Sequence, residues 1–363
     1  MINAKILYIE DSAEDITTFN NTVNRYNTQN DGIHNISCQT CLTLTEAEVI
    51  LADRNNHFDT IIIDIKLNNI SGSGNNIVET VKKHFLRIPC IAYTATPDDV
   101  NEDFIIKKFI KATNSIDDVL DYTIKLKETG IPDILGSNGK IEEQLSNIYN
   151  NNIKPHIEYW IENNRVDADI EQSSLLRYIT YCITESINQE YEKSLVKEIY
   201  IIPPINSNYK TGSIIQNKTN CEIFIILSPE CDMVLRENGL PKTDQILIVK
   251  IEEFKDIIKP ELNGITSTEK KQKAIVKYLS NNHCGYYHYL PQCKLFDNKL
   301  INFRKITSIN YDRLKEEYSI IATVTTAYVK DILCRFSNYY ARQGQPDFHF
   351  KELASTILEE IDT

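Results

Sequence analysis

Glu10 and Asp11 stand side by side just after an apolar run, Asp64 follows a second run, Thr94 closes a third, and Lys107 lies in a fourth segment, FIIKKF. Each alone is an ordinary polar residue beside a strand. Together they supply three carboxylates, a hydroxyl and an ammonium. Clustered carboxylates repel one another unless a cation neutralises them, and ligation by carboxylates, a backbone carbonyl and water suits Mg²⁺. An aspartate held against Mg²⁺ and a lysine can attack a phosphoryl donor, because both cations offset charge on the transferring oxygens. A threonine hydroxyl can then hydrogen-bond the new phosphoryl group.

These residues meet only if the elements before them are parallel strands of one sheet. Ala4–Ile9, Asp59–Ile63 and Ile88–Tyr93 are continuous apolar runs, the pattern of strands covered by helices on both faces. A further strand is expected near Ile33–Cys41 and a last one at Phe104–Phe109. Amphipathic stretches at Ser12–Tyr26, Leu44–Asn55, Ile77–Phe85 and Ile116–Lys127 read as helices, the first capped by Ser12. This alternation predicts a doubly wound α/β unit with a five-stranded parallel sheet. In such sheets ligands sit outside the carboxyl ends of the strands, where the residues named above fall.

The ordered set ILYIEDS, IIIDIKL, IPCIAYTA and DFIIKKF resembles the receiver domain of response regulators in two-component signalling, over residues 1–128. The resemblance implies a flavodoxin-like fold with Asp64 as phosphoacceptor. It implies Mg²⁺ bound by Asp11, Asp64 and the Lys66 carbonyl, with Glu10 assisting through water. Thr94 would be the switch hydroxyl, Lys107 the phosphate-pairing cation and Phe104 the aromatic that changes rotamer. The implied partners are a histidine kinase or phosphotransfer protein and a downstream effector. Three departures stand out. Lys108 replaces the usual proline after the lysine, Asn68 replaces a frequent proline after the phosphoacceptor strand, and only 12 residues separate Thr94 from Lys107. That connection leaves room for hardly a turn of a fourth helix.

Composition narrows the remaining readings. The chain has 363 residues, so two or three domains are expected, and 42% hydrophobic residues give material for cores. The net charge of −12 counts against binding DNA through phosphates. It is also uneven: residues 1–200 carry 18 Lys and Arg against 31 Asp and Glu, and residues 201–363 carry 21 against 20. Nine cysteines, odd in number and without a CxxC, read as reduced thiols. No signal peptide and no apolar run of the ~20 residues needed for a membrane span is visible. A cytoplasmic protein with no DNA and no membrane partner is expected.

Beyond residue 128 the sequence predicts a linker at Glu128–Lys140, a helical segment to about residue 200, and a β-rich α+β domain over 201–363. Strands are expected at Ser213–Gln216, Glu222–Leu227, Gln245–Ile251, Tyr287–Leu290 and Leu300–Ile309, with helices at Thr266–Leu279 and Tyr318–Tyr340. His156 reads as an exposed helix residue, a phosphorelay acceptor being the alternative. Thr211–Met233 resembles, over a short stretch, the SH3-like barrel of PemK-like toxins, which cut RNA. Asp232 and Arg236 are available for such cleavage, but the near-neutral charge of this half gives no phosphate-tracking surface. Cys231, His283, Cys284, His288 and Cys293 could ligate zinc, but their spacing matches no zinc motif. Arg342, Gln343 and Asp347 form a polar turn after a long helix. The whole layout also resembles receiver proteins of bacterial conflict systems of the Detocs phage-defence type. A response regulator without enzymatic activity is the leading expectation, with an RNA-cleaving effector or a scaffold with a silent receiver as alternatives.

Overall fold

The computed structural model describes all residues except 54, 69, 71, 84–86, 163–166, 189–193, 238, 343–347 and 362–363. The chain divides into two units, Met1–Tyr191 and Glu192–Thr363.

The first unit is built on five strands, β1 (Ile2–Ile9), β2 (His34–Cys41), β3 (Thr60–Ile63), β4 (Cys90–Thr94) and β5 (Ile105–Ile110). They are all parallel, in the order β2-β1-β3-β4-β5. This is the flavodoxin-like doubly wound order. Alternation along each strand divides the core into two layers. Leu7, Ile9, Ile61, Ile63 and Ala92 face one side, against Ala47 and Leu51 of α2 (Leu44–Ala52) and Ile77 and Val81 of α3 (Asn76–Lys83). Ile6, Tyr8, Ile62, Ile91 and Tyr93 face the other, against Phe19 and Val23 of α1 (Ala13–Gln29) and Val119 and Leu120 of α4 (Ile116–Glu128). Local signals fix the helix starts: Ser12 accepts from Asp15 N–H, and Ser115 and Asp118 form a reciprocal capping box.

Between β4 and β5 the chain makes only a 3-10 turn, Pro97–Asp99, where a doubly wound unit would usually insert a helix. The short connection expected from the sequence is therefore present. Glu128–Lys140 is more than a linker. It contains a short helix, α5 (Ile131–Leu135), tied down by Lys127–Asp133 and by Arg87 donating to the Leu135 carbonyl. Three further helices follow, α6 (Lys140–Ile148), α7 (Ile157–Glu162) and α8 (Ala168–Asn188), with a π-helical turn at Tyr149–Ile153.

Among the described residues the second unit holds seven strands: β6 (Tyr200–Ile201), β7 (Ser213–Asn217), β8 (Ile223–Ile226), β9 (Gln245–Glu253), β10 (Tyr287–Leu290), β11 (Lys299–Asn310) and β12 (Tyr318–Val324). They form an antiparallel sheet in the order β10-β11-β9-β8-β7-β12-β6. The boundary expected at residue 200 thus falls inside a strand. Tyr318–Val324, expected as helix, is strand β12 between β7 and β6. Its run of Ile320, Ile321, Thr323 and Val324 is β-branched, which favours the pleated conformation. The residues expected to form a small barrel, 211–233, supply β7, β8 and the one-turn helix α9 (Glu230–Met233), with β7 and β8 in the middle of this larger sheet. Helices α10 (Phe254–Leu262) and α11 (Thr268–Leu279) pack on Leu300 through Phe254, Ile258 and Tyr278. Helix α12 (Tyr311–Glu317) buries Tyr311 and Leu314 on one sheet face, and α13 (Thr326–Ala341) buries Val329 and Ile332 on the other. The last helix is α14 (Phe350–Ile361).

Candidate functional site

The carboxyl ends of β1, β3, β4 and β5 bring the site together. Glu10 leaves β1 with its N–H bonded to the Cys41 carbonyl, and Asp64 leaves β3 with its N–H bonded to the Ile9 carbonyl. Both carboxylates are buried. Thr94, the last residue of β4, is fully buried and donates its hydroxyl to Asp64 Oδ1 at 2.8 Å. The Lys66 N–H donates to the same oxygen at 3.1 Å. Thr94 Oγ1 also accepts from the Thr96 N–H at 3.1 Å, so the hydroxyl is oriented from both sides.

The ammonium of the site is Lys111, not Lys107. Lys111 Nζ lies 2.6 Å from Glu10 Oε2, 2.9 Å from Asp15 Oδ2 and 3.0 Å from Asp64 Oδ2. The reason is strand register. β5 stays paired with β4 as far as Thr94↔Ile110, and the Lys111 N–H donates to the Thr94 carbonyl, so the residue emerging level with Asp64 is Lys111. Lys107 sits three pairs upstream of that edge, opposite Ile91, exposed and 5.7 Å from the Phe109 ring centroid. Phe104 precedes β5, half-buried against the core shared with α2 and α3, and the Lys82 ammonium lies 3.3 Å from its ring centroid. The pocket cation Lys111 instead lies 5.8 Å from the Tyr93 ring centroid.

Asp11 is half-buried, and its Oδ2 accepts from the Asn68 N–H at 2.7 Å. Asn68 has φ 54°, the left-handed region that asparagine tolerates. Proline could supply neither that angle nor the N–H, which accounts for the departure at this position. Gly74 packs directly beneath Asp64: a Cβ there would lie 2.2 Å from the Asp64 carbonyl oxygen and 2.9 Å from Ile65 Cα. Sequence reading missed Asp15 and Gly74. Asp15 is placed by the Ser12 cap in the first turn of α1, and Gly74 by a loop whose path only the fold reveals.

The electrostatics follow from burial. Burial raises the Glu10 pKa above the usual carboxylate value, with the Lys111 contacts working against it. For Lys111 burial acts downward, but hydrogen bonds to Asp15, Glu10 and Asp64 outweigh it and raise its pKa. Tyr8 donates to Glu10 Oε2 at 2.9 Å, and burial with this acid beside it raises its phenol pKa. Glu10, Asp11, Asp15 and Asp64 bring four negative charges to one ammonium, a formal excess of three. The donors are all oxygen, so the set suits a hard divalent cation such as Mg²⁺. Among the described residues no group of three or more His, Cys, Asp or Glu is already arranged around a metal-sized point.

Elsewhere, His156 is exposed at the end of a 3-10 turn, and Asp232 Oδ1 lies 3.0 Å from Lys242 Nζ. The Arg342 guanidinium lies 5.1 Å from the Tyr339 ring centroid, while Gln343 and Asp347 fall outside the described residues. No helix among the described residues is long and apolar enough to cross a membrane.

No protein-family model and no curated protein matches the chain. Solved structures do. The receiver domain of the Francisella response regulator 1452 is 19% identical, covering 35% of this chain and 98% of that one, with a TM-score of 0.28. A response regulator receiver domain protein from Clostridium thermocellum is 23% identical over 35% of this chain and 98% of that one, with a TM-score of 0.27. The receiver domain of a sensor histidine kinase from Pseudomonas aeruginosa PAO1, described with a magnesium ion in its active-site cleft, is 14% identical over 35% and 98%, with a TM-score of 0.27.

Proposed function

We propose that residues 1–128 are a phosphoacceptor receiver whose nucleophile is Asp64. The observation that carries this reading is the holding of one buried carboxylate from three directions: Lys111 Nζ on Oδ2, and the Thr94 hydroxyl and Lys66 N–H on Oδ1. Hydrogen bonds that fix both oxygens orient the nucleophile before the donor arrives. A carboxylate oxygen of Asp64 attacks phosphorus in a phosphohistidine or acetyl phosphate. An acyl phosphate forms, and the imidazole or acetate leaves with the bonding electrons. Lys111 then pairs with a phosphoryl oxygen, and Thr94, already beside Asp64, donates to another.

The residues that would hold Mg²⁺ are Glu10, Asp11, Asp64 and the Lys66 carbonyl. When bound, that ion neutralises charge on the transferring oxygens. Thr94 is the switch hydroxyl. The kinase or phosphotransfer protein docks at the acidic mouth of the site, and the second unit passes the change to an effector. A place in a phage-defence relay is the finer form of this reading, checked by phage challenge of cells carrying Asp64→Asn. Incubation with acetyl phosphate and Mg²⁺ followed by intact mass tests the core of it. One phosphoryl adduct is expected in the native chain and none in Asp64→Asn; equal adducts in both would exclude Asp64.

A further inference from the structure

Helix α14 carries no buried residue. Its apolar positions, Phe350, Leu353, Ala354, Ile357, Leu358 and Ile361, fall within one arc at 100° per residue, and the large ones are 57%, 49%, 52%, 60% and 72% exposed. A 12-residue helix is marginal in water without a partner, because nucleation costs more than so few hydrogen bonds return. The order of residues indicates which partner fits. Read from either end, FKELASTILEEI gives the same pattern of apolar and polar positions. A two-fold axis between Ser355 and Thr356 sets Phe350 level with Ile361, Leu353 with Leu358, and Ala354 with Ile357 of a second helix running the opposite way. Every apolar residue then shares a layer with another, and Glu352 and Glu359 lie on the far side of the helix. An interface that is self-complementary under a two-fold rotation is the isologous kind that closes a dimer.

We infer that α14 pairs antiparallel with α14 of a second copy of this chain, making the protein a dimer. At roughly 100 Å² for each of the five large side chains, each copy buries about 500 Å² and the pair about 1,000 Å², the lower bound for a specific interface. An interface at that lower bound makes a weak dimer. It joins two chains through their second units.

Sedimentation equilibrium of the full chain between about 1 and 100 μM tests the inference. The native chain is expected to pass from monomer to dimer. Leu353→Lys and Leu358→Glu, each alone, are expected to weaken association about 100-fold or more, since each puts a charge into an apolar layer. An equimolar mixture of the two variants is expected to recover a heterodimer, because the antiparallel register sets the new lysine against the new glutamate and leaves the other layer Leu to Leu. A parallel pair would bring neither charge opposite the other. A native chain that stays monomeric at 100 μM, single variants that still dimerise, or a mixture that stays monomeric would each overturn the proposal.

Discussion

Replacing Lys111 by Met separates the two lysines more sharply than any other change. The side chain keeps its length and loses its charge, so Glu10 and Asp64, both buried, lose the ammonium at 2.6 and 3.0 Å. Removing one partner of a buried ion pair costs about 3–5 kcal/mol, because the charge left behind is uncompensated. Asp15 is half exposed, so its contact adds no more than about 1 kcal/mol. The lower end of the range applies, since Glu10 already has a raised pKa and can take up a proton instead of remaining charged. A loss of about 3 kcal/mol at pH 7.5 is expected. The sign with pH follows. Burial already raises Glu10, and in the variant the Lys111 contacts that lower it are gone, so the folded state binds a proton that the unfolded state does not, and stability recovers as pH falls toward 5. Lys107→Met removes an exposed charge and a long contact with Phe109, and should stay within about 0.5 kcal/mol at either pH. Urea unfolding of the three proteins at pH 7.5 and 5.5 measures both differences. Equal losses for the two variants, or a Lys111→Met loss that grows on acidification, would refute the assignment of the pocket cation.

Gly74→Ala should destabilise by about 3 kcal/mol or more, since the new methyl meets the backbone of Asp64 and Ile65 with no side chain able to yield; thermal melts of the first unit's transition check it. Thr94→Val leaves Asp64 without one donor in a buried setting and should cost about 1–2 kcal/mol while still permitting an adduct on Asp64, read by urea unfolding and intact mass. His288 is buried with its Nδ1 making no hydrogen bond and 3.7 Å from Asp331 Oδ2, and burial lowers its pKa to about 4, Asp331 acting upward and Arg335 downward. A base depressed in the folded state contributes stability above its unfolded value of 6.5 and loses it as pH falls through the folded value. The second unit should therefore lose about 3 kcal/mol between pH 7 and 4, and His288→Leu should flatten that slope in denaturant titrations.

The parallel sheet was legible because Ala4–Ile9, Asp59–Ile63 and Ile88–Tyr93 are apolar on both faces, which few structures other than a buried strand require. Glu10, Asp11, Asp64 and Thr94 could be placed because each stands where such a run stops. Lys111 could not be chosen over Lys107, because FIIKKFIK offers three lysines and the choice depends on how far β5 stays paired with β4. Asp15 is three residues from the Ser12 cap, yet its reach toward Lys111 depends on α1 packing beside β5's end. Strand β12 was hidden because Tyr318–Val324 runs into α13 without a break that sequence marks. Its place between β7 and β6 is a long-range pairing that no local pattern encodes.

The central claim is that Asp64 carries the phosphoryl group, and borohydride trapping tests it at the residue itself. An acyl phosphate on aspartate is reduced to homoserine, while free carboxylates are untouched, so peptide mass mapping locates it. After treatment with acetyl phosphate and Mg²⁺, homoserine is expected at position 64 of the native chain, with Asp11, Asp15 and Glu10 unchanged. Homoserine at position 11 or 15, or none anywhere after full treatment, would contradict the account.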